Sequence, residues 1–299
     1  MLGHATETPL SPAEIAAVAG GINAAGGNID RIVRLARYPV YAYEFRVTGA
    51  EPTALAQHLG EAAALHRLDI ARQPAGLERR AKRLVVLDVD STLIQDEVID
   101  LLAREAGCEA AVADVTRRAM AGELDFAESL RDRVAALAGT PVSALATVRD
   151  AVRLTPGART LCRTLNSLGY RLALVSGGFT EIVGPLAEQL GVHRFRANTL
   201  EVQDGRLTGR VVGPIVDRAG KAQALREFAE EFGFAASRTV AIGDGANDLD
   251  MLAAAGLGVA FNAKPAVAAA ADASVTAPYL DSVLYLLGIT RGQVEALTR

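Results

Sequence analysis

Asp88 and Asp90 stand two residues apart in Asp88-Val-Asp-Ser-Thr92, directly after the apolar run Leu84-Val-Val-Leu87. Bare carboxylates are too costly to bury without compensation, so acids that end an apolar strand need a cation or donors beside them. A second cluster, Ser176-Gly177-Gly178, follows Leu172-Ala-Leu-Val175. A hydroxyl ahead of two glycines lets backbone N–H groups approach an oxyanion closely. A third, Gly243-Asp244-Gly245-Ala246-Asn247-Asp248, follows Thr239-Val-Ala-Ile242. Its oxygen donors suit a hard cation such as Mg²⁺. Taken singly, each has a plainer reading: an Asp turn capping a helix, an ordinary Ser-Gly-Gly turn, a polar loop. Lys221, opening an amphipathic helix over 221–232, is by itself an ordinary exposed lysine.

Elements must bring these clusters together. Four continuous apolar runs, 84–87, 172–175, 239–242 and 258–261, are separated by helical patterns. That alternation predicts a parallel sheet buried on both faces. In such open α/β sheets ligands sit outside the carboxyl ends of the strands, where all three clusters fall. Asp204-Gly205, within 198–216, marks a hairpin turn. A wholly helical insert over 96–154 reads as a cap, in segments 96–106, 109–120, 126–137 and 142–152. Residues 11–82 form a smaller unit of order α-β-β-α-β. Ser11-Pro12-Ala13-Glu14 opens its first helix. Ile29, Arg31, Val33 and Leu35 alternate along one strand face, 40–47 is a second strand, and Leu68-Asp-Ile70 a short last one. Leu77 to Arg83, with four basic residues in seven, is the expected linker.

Composition narrows the function. With 299 residues and a net charge of −4, the chain suits about two domains and lacks the basic excess of a nucleic-acid binder. Its two cysteines, Cys108 and Cys162, make neither a disulfide framework nor a Cys-rich metal site. The four histidines are isolated, without metal-ligand spacing. No apolar run reaches the ~18 residues of a membrane span, and the first residues lack the basic and apolar regions of a secretory signal. The default expectation is a cytoplasmic protein.

Asp-x-Asp-x-Thr, then Ser176, then Lys221, then Gly-Asp-Gly-x-Asn-Asp, with each acid cluster after an apolar strand, resembles the haloacid dehalogenase superfamily of phosphatases over residues 83–290. The resemblance implies a Rossmann-like doubly wound α/β core over 84–95 and 155–299, with the helical cap at 96–154. It implies Asp88 as nucleophile and Asp90 as acid/base. Mg²⁺ is expected on Asp88, Asp244 and the backbone carbonyl of Asp90, with Asp248 orienting the ligands behind them. Ser176, Gly177, Lys221 and Asn247 would bind the phosphoryl oxygens.

The stretch 88–97, Met120, 126–133 and 175–179 resemble the phosphoserine phosphatase family within that superfamily. This implies hydrolysis of O-phospho-L-serine, the last step of serine biosynthesis. Such a substrate needs an acid for its ammonium and a base for its carboxylate, and Glu97 and Arg133 supply them. Phe126, Leu130, Arg133 and Leu137 share one helix face, so Phe126 and Arg133 point the same way two turns apart. Met120 and Phe126 would pack around the substrate; taken singly, ordinary cap packing explains both. Arg131 is the alternative gripping base but sits off that face. Another small phosphomonoester, an alcohol acceptor in place of water, and an amino-acid sensor are the competing readings.

Residues 1–76 resemble an ACT domain, a small α+β regulatory fold of order βαββαβ, through element order and Gly26-Gly27-Asn28-Ile29-Asp30. Only Met1-Leu2-Gly3 stand where a first strand belongs, so that strand is very short, truncated or supplied by a partner chain. The resemblance implies a homodimer and makes L-serine a candidate effector.

Overall fold

The computed structural model describes residues 2–4, 11–74, 76 and 81–297. Met1 and residues 77–80 of the expected linker lie outside them.

The N-terminal unit is a three-stranded sheet with two helices on one face. Its elements are β1 (Leu2–His4), α1 (Pro12–Ala24), β2 (Asn28–Ala36), β3 (Val40–Thr48) and α2 (Pro52–His66). The strand order is β1-β3-β2, antiparallel throughout, so β1 is short but present and pairs with the central strand. Ser11 caps α1 in a reciprocal capping box with Glu14. Val18, Ile22, Leu59 and Leu68 form the small core between helices and sheet, with Ile29, Phe45 and Val47 against it.

Two expectations change here. A bulge between Ile29 and Arg31 turns Ile29 to the helix side, away from the face of Arg31, Val33 and Leu35. Leu68–Ile70 makes only a single bridge position at Asp69, whose carboxylate instead accepts the Thr276 backbone N–H at 2.8 Å.

The larger unit begins with β4 (Leu84–Leu87). The cap follows as α3 (Val98–Ala106), α4 (Glu109–Met120), α5 (Phe126–Ala135) and α6 (Ser143–Ala151). Then come α7 (Ala158–Ser167), β5 (Arg171–Phe179), α8 (Thr180–Gln189), β6 (Arg194–Gln203), β7 (Arg206–Val212) and α9 (Arg218–Glu231). The chain closes with β8 (Thr239–Gly243), α10 (Leu249–Ala254), β9 (Gly258–Phe261), α11 (Pro265–Ala270), β10 (Ala273–Val275), α12 (Val283–Leu286) and α13 (Arg291–Ala296). The seven strands lie in the order β10-β9-β8-β4-β5-β6-β7, parallel except for the β6–β7 hairpin.

Leu84, Val85, Val86 and Leu87 are fully buried because helices cover both sheet faces. The chain leaves β4 for β5 on one side and returns to β8 on the other. The strand order therefore reverses at β4, which opens a crevice above its carboxyl end. The cap grows from two crossing segments beside that crevice. Ile94 bridges Leu154, and Asp96 holds Arg153 through both its backbone N–H at 2.9 Å and its guanidinium at 2.7 Å. Leu35, Ala36, Val40 and Ala42 of the small sheet belong to the main core, so the two units pack as neighbours. Among the described residues no helix is long and apolar enough to cross a membrane.

Candidate active site

After β4 the chain makes one wide turn over Val89–Leu93, closed by the Ile94 N–H on the Val89 carbonyl at 3.0 Å. Ser91 sits there at φ 56°. This turn sends the Asp88 and Asp90 side chains into the crevice rather than along a strand. The Asp88 N–H bonds the Ile242 carbonyl at 2.9 Å, tying the turn to β8.

Lys221 is the cation these acids require. It is 1% exposed, and its ammonium donates to Asp88 Oδ1 at 2.6 Å and to Asp248 Oδ1 at 2.7 Å. On α9 it lies at i, i+4, i+7 spacing with the buried Leu225 and Phe228, so the helix's apolar stripe carries it inward. The helix begins at Arg218, one turn ahead of the expected start, with Asp217 as its cap. Burial alone would release the Lys221 proton, but Asp88 and Asp248 outweigh it and keep the ammonium charged. Burial first, and Asp248 second, raise the Asp88 carboxyl well above the usual range.

Asp248 is fully buried with both oxygens committed. Oδ1 meets Lys221, and Oδ2 accepts the backbone N–H groups of Asp244 and Gly245 at 3.1 and 3.0 Å. Asp244 Oδ1 accepts from Thr92 Oγ1 at 2.9 Å. The second oxygens of Asp88 and Asp244 make no hydrogen bond among the described residues. Asp88, Asp244 and Asp248 place one carboxylate oxygen each within 4.8 Å of one another. One ammonium cannot neutralise three carboxylates, and two oxygens are left over, which fits a hard divalent cation between Asp88 and Asp244. The Asp90 carboxylate stays outside that cluster. Its Oδ1 accepts the Val98 N–H at 2.8 Å and its Oδ2 the Ser176 hydroxyl at 3.1 Å, while burial raises its pKa.

The second cluster departs from expectation in its backbone. Ser176-Gly177-Gly178 lies inside the end of β5, where pairing with β6 lapses between Val175 and Phe179. Asn198, 1% exposed, spans the gap: its amide donates to the Gly177 carbonyl and accepts from the Val216 N–H, both at 2.8 Å. A Cβ on Gly178 would stand 2.9 Å from Asp90 Oδ2, and one on Gly177 2.9 Å from the Phe126 ring. A side chain at either glycine would thus force its neighbour to move, and at Gly178 that neighbour is the pinned Asp90 carboxylate.

A cleft of about 100 Å³ opens above these groups. Asp88, Asp90, Lys221, Asp244, Asn247 and Gly177 form its floor. Glu97, Phe126 and Arg133 come down from the cap, joined by Leu130, Ile99 and Phe179. Glu97 accepts from the Ser91 hydroxyl at 2.7 Å, and surrounding protein first, then Asp90, push its carboxyl up to about 7. Arg133, half-buried, donates to the Ser129 carbonyl at 3.2 Å. Burial lowers its pKa, with Asp100 and Glu97 opposing. Arg131 is exposed, away from the cleft.

Three expected residues do not line the cleft. Met120 departs from expectation: it ends α4, 75% exposed, where only Val112 of that helix is buried. Ser176 lies beneath the floor, its hydroxyl held between the Gly178 N–H at 2.8 Å and Asp90. Asp248 also lies beneath, bracing Lys221. Sequence reasoning gave no role to Ile99 and Asn198, nor to Thr92 and Phe179 although both lie inside its motifs. Ile99 lies two residues beyond the motif stretch 88–97, and that adjacency was its one signal.

The chain matches the haloacid dehalogenase-like hydrolase family over residues 85–253. It belongs to the haloacid dehalogenase-like hydrolases. Residues 3–73 match the ACT domain. A phosphoserine phosphatase of Streptomyces coelicolor is 62% identical over 296 residues, covering 99% of this chain and 71% of that protein. A crystal structure of a probable phosphoserine phosphatase from Vibrio cholerae superposes with TM-score 0.75 at 38% identity, covering 99% of this chain and 87% of that one. A phospho-aspartyl intermediate analogue of phosphoserine phosphatase superposes with TM-score 0.64 at 41% identity, covering 68% of this chain and 98% of that one.

Proposed function

We propose that this enzyme hydrolyses O-phospho-L-serine to L-serine and phosphate, with Mg²⁺, in the cytoplasm, as the last step of serine biosynthesis. The observation that carries the substrate is one small cleft with Glu97 and Arg133 on its roof and Asp88, Asp90 and Lys221 on its floor.

A phosphomonoester repels nucleophiles by its own charge, so the site must cancel charge while it positions the attack. Asp88 and Asp244, with the backbone carbonyl of Asp90, would hold Mg²⁺, and Asp248 steadies them. When bound, the ion withdraws charge from the phosphoryl oxygens and lowers their repulsion of Asp88, help worth several kcal/mol. Lys221, the Gly177 N–H and Asn247 bind phosphoryl oxygens; Ser176 acts by fixing Asp90 and Gly178.

Asp88 attacks phosphorus through a carboxylate oxygen, and the bond from phosphorus to the seryl oxygen breaks. Asp90, its carboxyl raised by burial above the usual range, gives its proton to that oxygen. Water then attacks the phosphoryl group on Asp88. Asp90 takes the water's proton, phosphate leaves, and both carboxyls return to their starting states. The solved phospho-aspartyl analogue of a relative supports this order. Meanwhile Arg133 grips the substrate carboxylate, Glu97 takes the ammonium, and Phe126 covers the short side chain.

The test is phosphate release from L-phosphoserine with and without Mg²⁺, beside phosphothreonine and p-nitrophenyl phosphate. Mg²⁺-dependent turnover favouring phosphoserine, lost in Asp88→Asn, is expected. Equal turnover of all three would remove the roof's role. We also propose a homodimer and L-serine as effector. Light scattering at twice 31.3 kDa checks the first. A serine titration that leaves activity and Tm unmoved would refute the second.

A further inference from the structure

Four apolar side chains line the cleft: Ile99, Phe126, Leu130 and Phe179. The substrate's polar anchors decide which of them meets its carbon body. On phosphoserine the leaving oxygen sits on Cβ and must reach Asp90. The ammonium sits on the adjacent Cα and must reach Glu97. The Cα–Cβ bond therefore lies along the path between those two carboxylates. One short segment joins them. Glu97 is the residue ahead of α3, and the next residue, Val98, donates its N–H to Asp90 Oδ1 at 2.8 Å. Ile99 follows directly and lines the cleft. It is the apolar side chain carried by the segment that holds both anchors.

The other three are placed differently. Phe126 comes from α5 and stands over Gly177, where a Cβ would be 2.9 Å from its ring, on the phosphoryl side. Leu130 and Phe179 give nearly all their surface to the core, at 2% and 0% exposed. Ile99 is also firmly held. Val98 beside it and Leu102 one turn on are fully buried, and a β-branched side chain on a helix has one strongly preferred χ1. A wall that cannot turn aside rejects a larger Cβ substituent instead of adapting to it.

We propose that Ile99 is the wall against the substrate's Cβ and sets the preference for phosphoserine over its β-methylated homologues. This rests on the phosphoserine reading of the cleft. Discrimination against one added carbon by an apolar pocket is worth about 10–200-fold in kcat/KM.

The experiment measures kcat/KM by phosphate release for L-phosphoserine, L-phosphothreonine and L-allo-phosphothreonine, with Mg²⁺, in wild type, Ile99→Val and Ile99→Ala. The last two substrates differ only in which side of Cβ carries the methyl. Ile99→Ala should raise kcat/KM at least about tenfold for one epimer and leave the other within about threefold. Ile99→Val, which removes one carbon, should move the same epimer in the same direction by less. Three results would overturn the proposal. They are a preference unmoved in both variants, an equal gain for both epimers, which would mean general loosening, or a loss on phosphoserine with no gain on either epimer. A wild type inert on phosphoserine would remove the functional reading and this proposal together. An active wild type with any of the three results removes the proposal alone. Thermal melts followed by circular dichroism check that each variant is folded, and Ile99→Val carries the test if Ile99→Ala is not.

Discussion

The floor and the roof of the cleft are built on opposite principles. On the floor the central side chains are held by one another: Lys221 bridges two carboxylates, Asp248 uses both oxygens, and Asp90 is pinned by Val98 and Ser176, while one oxygen each of Asp88 and Asp244 stays open for a cation. On the roof, among the described residues, Arg133 holds only a backbone carbonyl one turn back, and Glu97 only a serine hydroxyl. A reaction centre tolerates little displacement, so its groups are fixed before the substrate arrives. A recognition surface keeps its charges available for the ligand. The floor should therefore set whether phosphoryl transfer happens, and the roof on what.

The largest effect should come from the floor. Asp88→Asn removes the attacking oxygen's charge and should cut kcat by at least about 10⁴-fold for every phosphomonoester tried, measured by phosphate release. Next, Lys221→Met leaves Asp88 and Asp248 buried without their cation. Urea unfolding without metal should show a loss of about 3–5 kcal/mol, and turnover should vanish. A Lys221→Met protein as stable as the wild type would break the picture of the floor as one charge-compensated unit.

Arg133→Gln shifts the test to the roof. Losing a two-pronged charged contact of about 1.5–3 kcal/mol should lower kcat/KM for phosphoserine by about 10²-fold or less. Glu97 should show itself through pH. Its carboxyl is raised to about 7 by the surrounding protein and Asp90, and it must be ionised to meet the substrate's ammonium. KM should thus be flat above pH 7 and rise as pH falls through 7, up to about tenfold per unit. Substrate phosphate titrates near pH ~6, so the same profile in Glu97→Gln isolates the residue. Smallest of all, Thr155→Val removes the 2.7 Å bond from Thr155 Oγ1 to the Thr92 carbonyl, beneath Asp244. A stability loss of about 1 kcal/mol is expected by thermal unfolding.

The same contrast explains what could be read from the residues alone. The acids of the floor were visible because a carboxylate ending an apolar strand is a local contradiction. The helical cap was visible through its glycine breaks, and its four helices lie close to the expected segments. Lys221 was harder, because its partners Asp88 and Asp248 lie 133 and 27 residues away. Only its place on the Leu225–Phe228 stripe hinted at burial. Asn198 and Thr155 were silent, since a buried polar side chain declares itself only when its partners are known. The exposure of Met120 was not legible, because α4 turns its last residue to solvent, which spacing within one helix cannot reveal. Ile29 was misassigned because one bulge inverts a strand's two faces.

The central claim is that floor and roof divide chemistry from choice. Its most direct test is kcat/KM for L-phosphoserine and for p-nitrophenyl phosphate, in wild type and Arg133→Gln, under the same Mg²⁺ and pH. The account predicts a loss on phosphoserine approaching about 10²-fold, with p-nitrophenyl phosphate changed by less than about threefold. An equal loss on both substrates would place Arg133 in the chemistry and contradict the division.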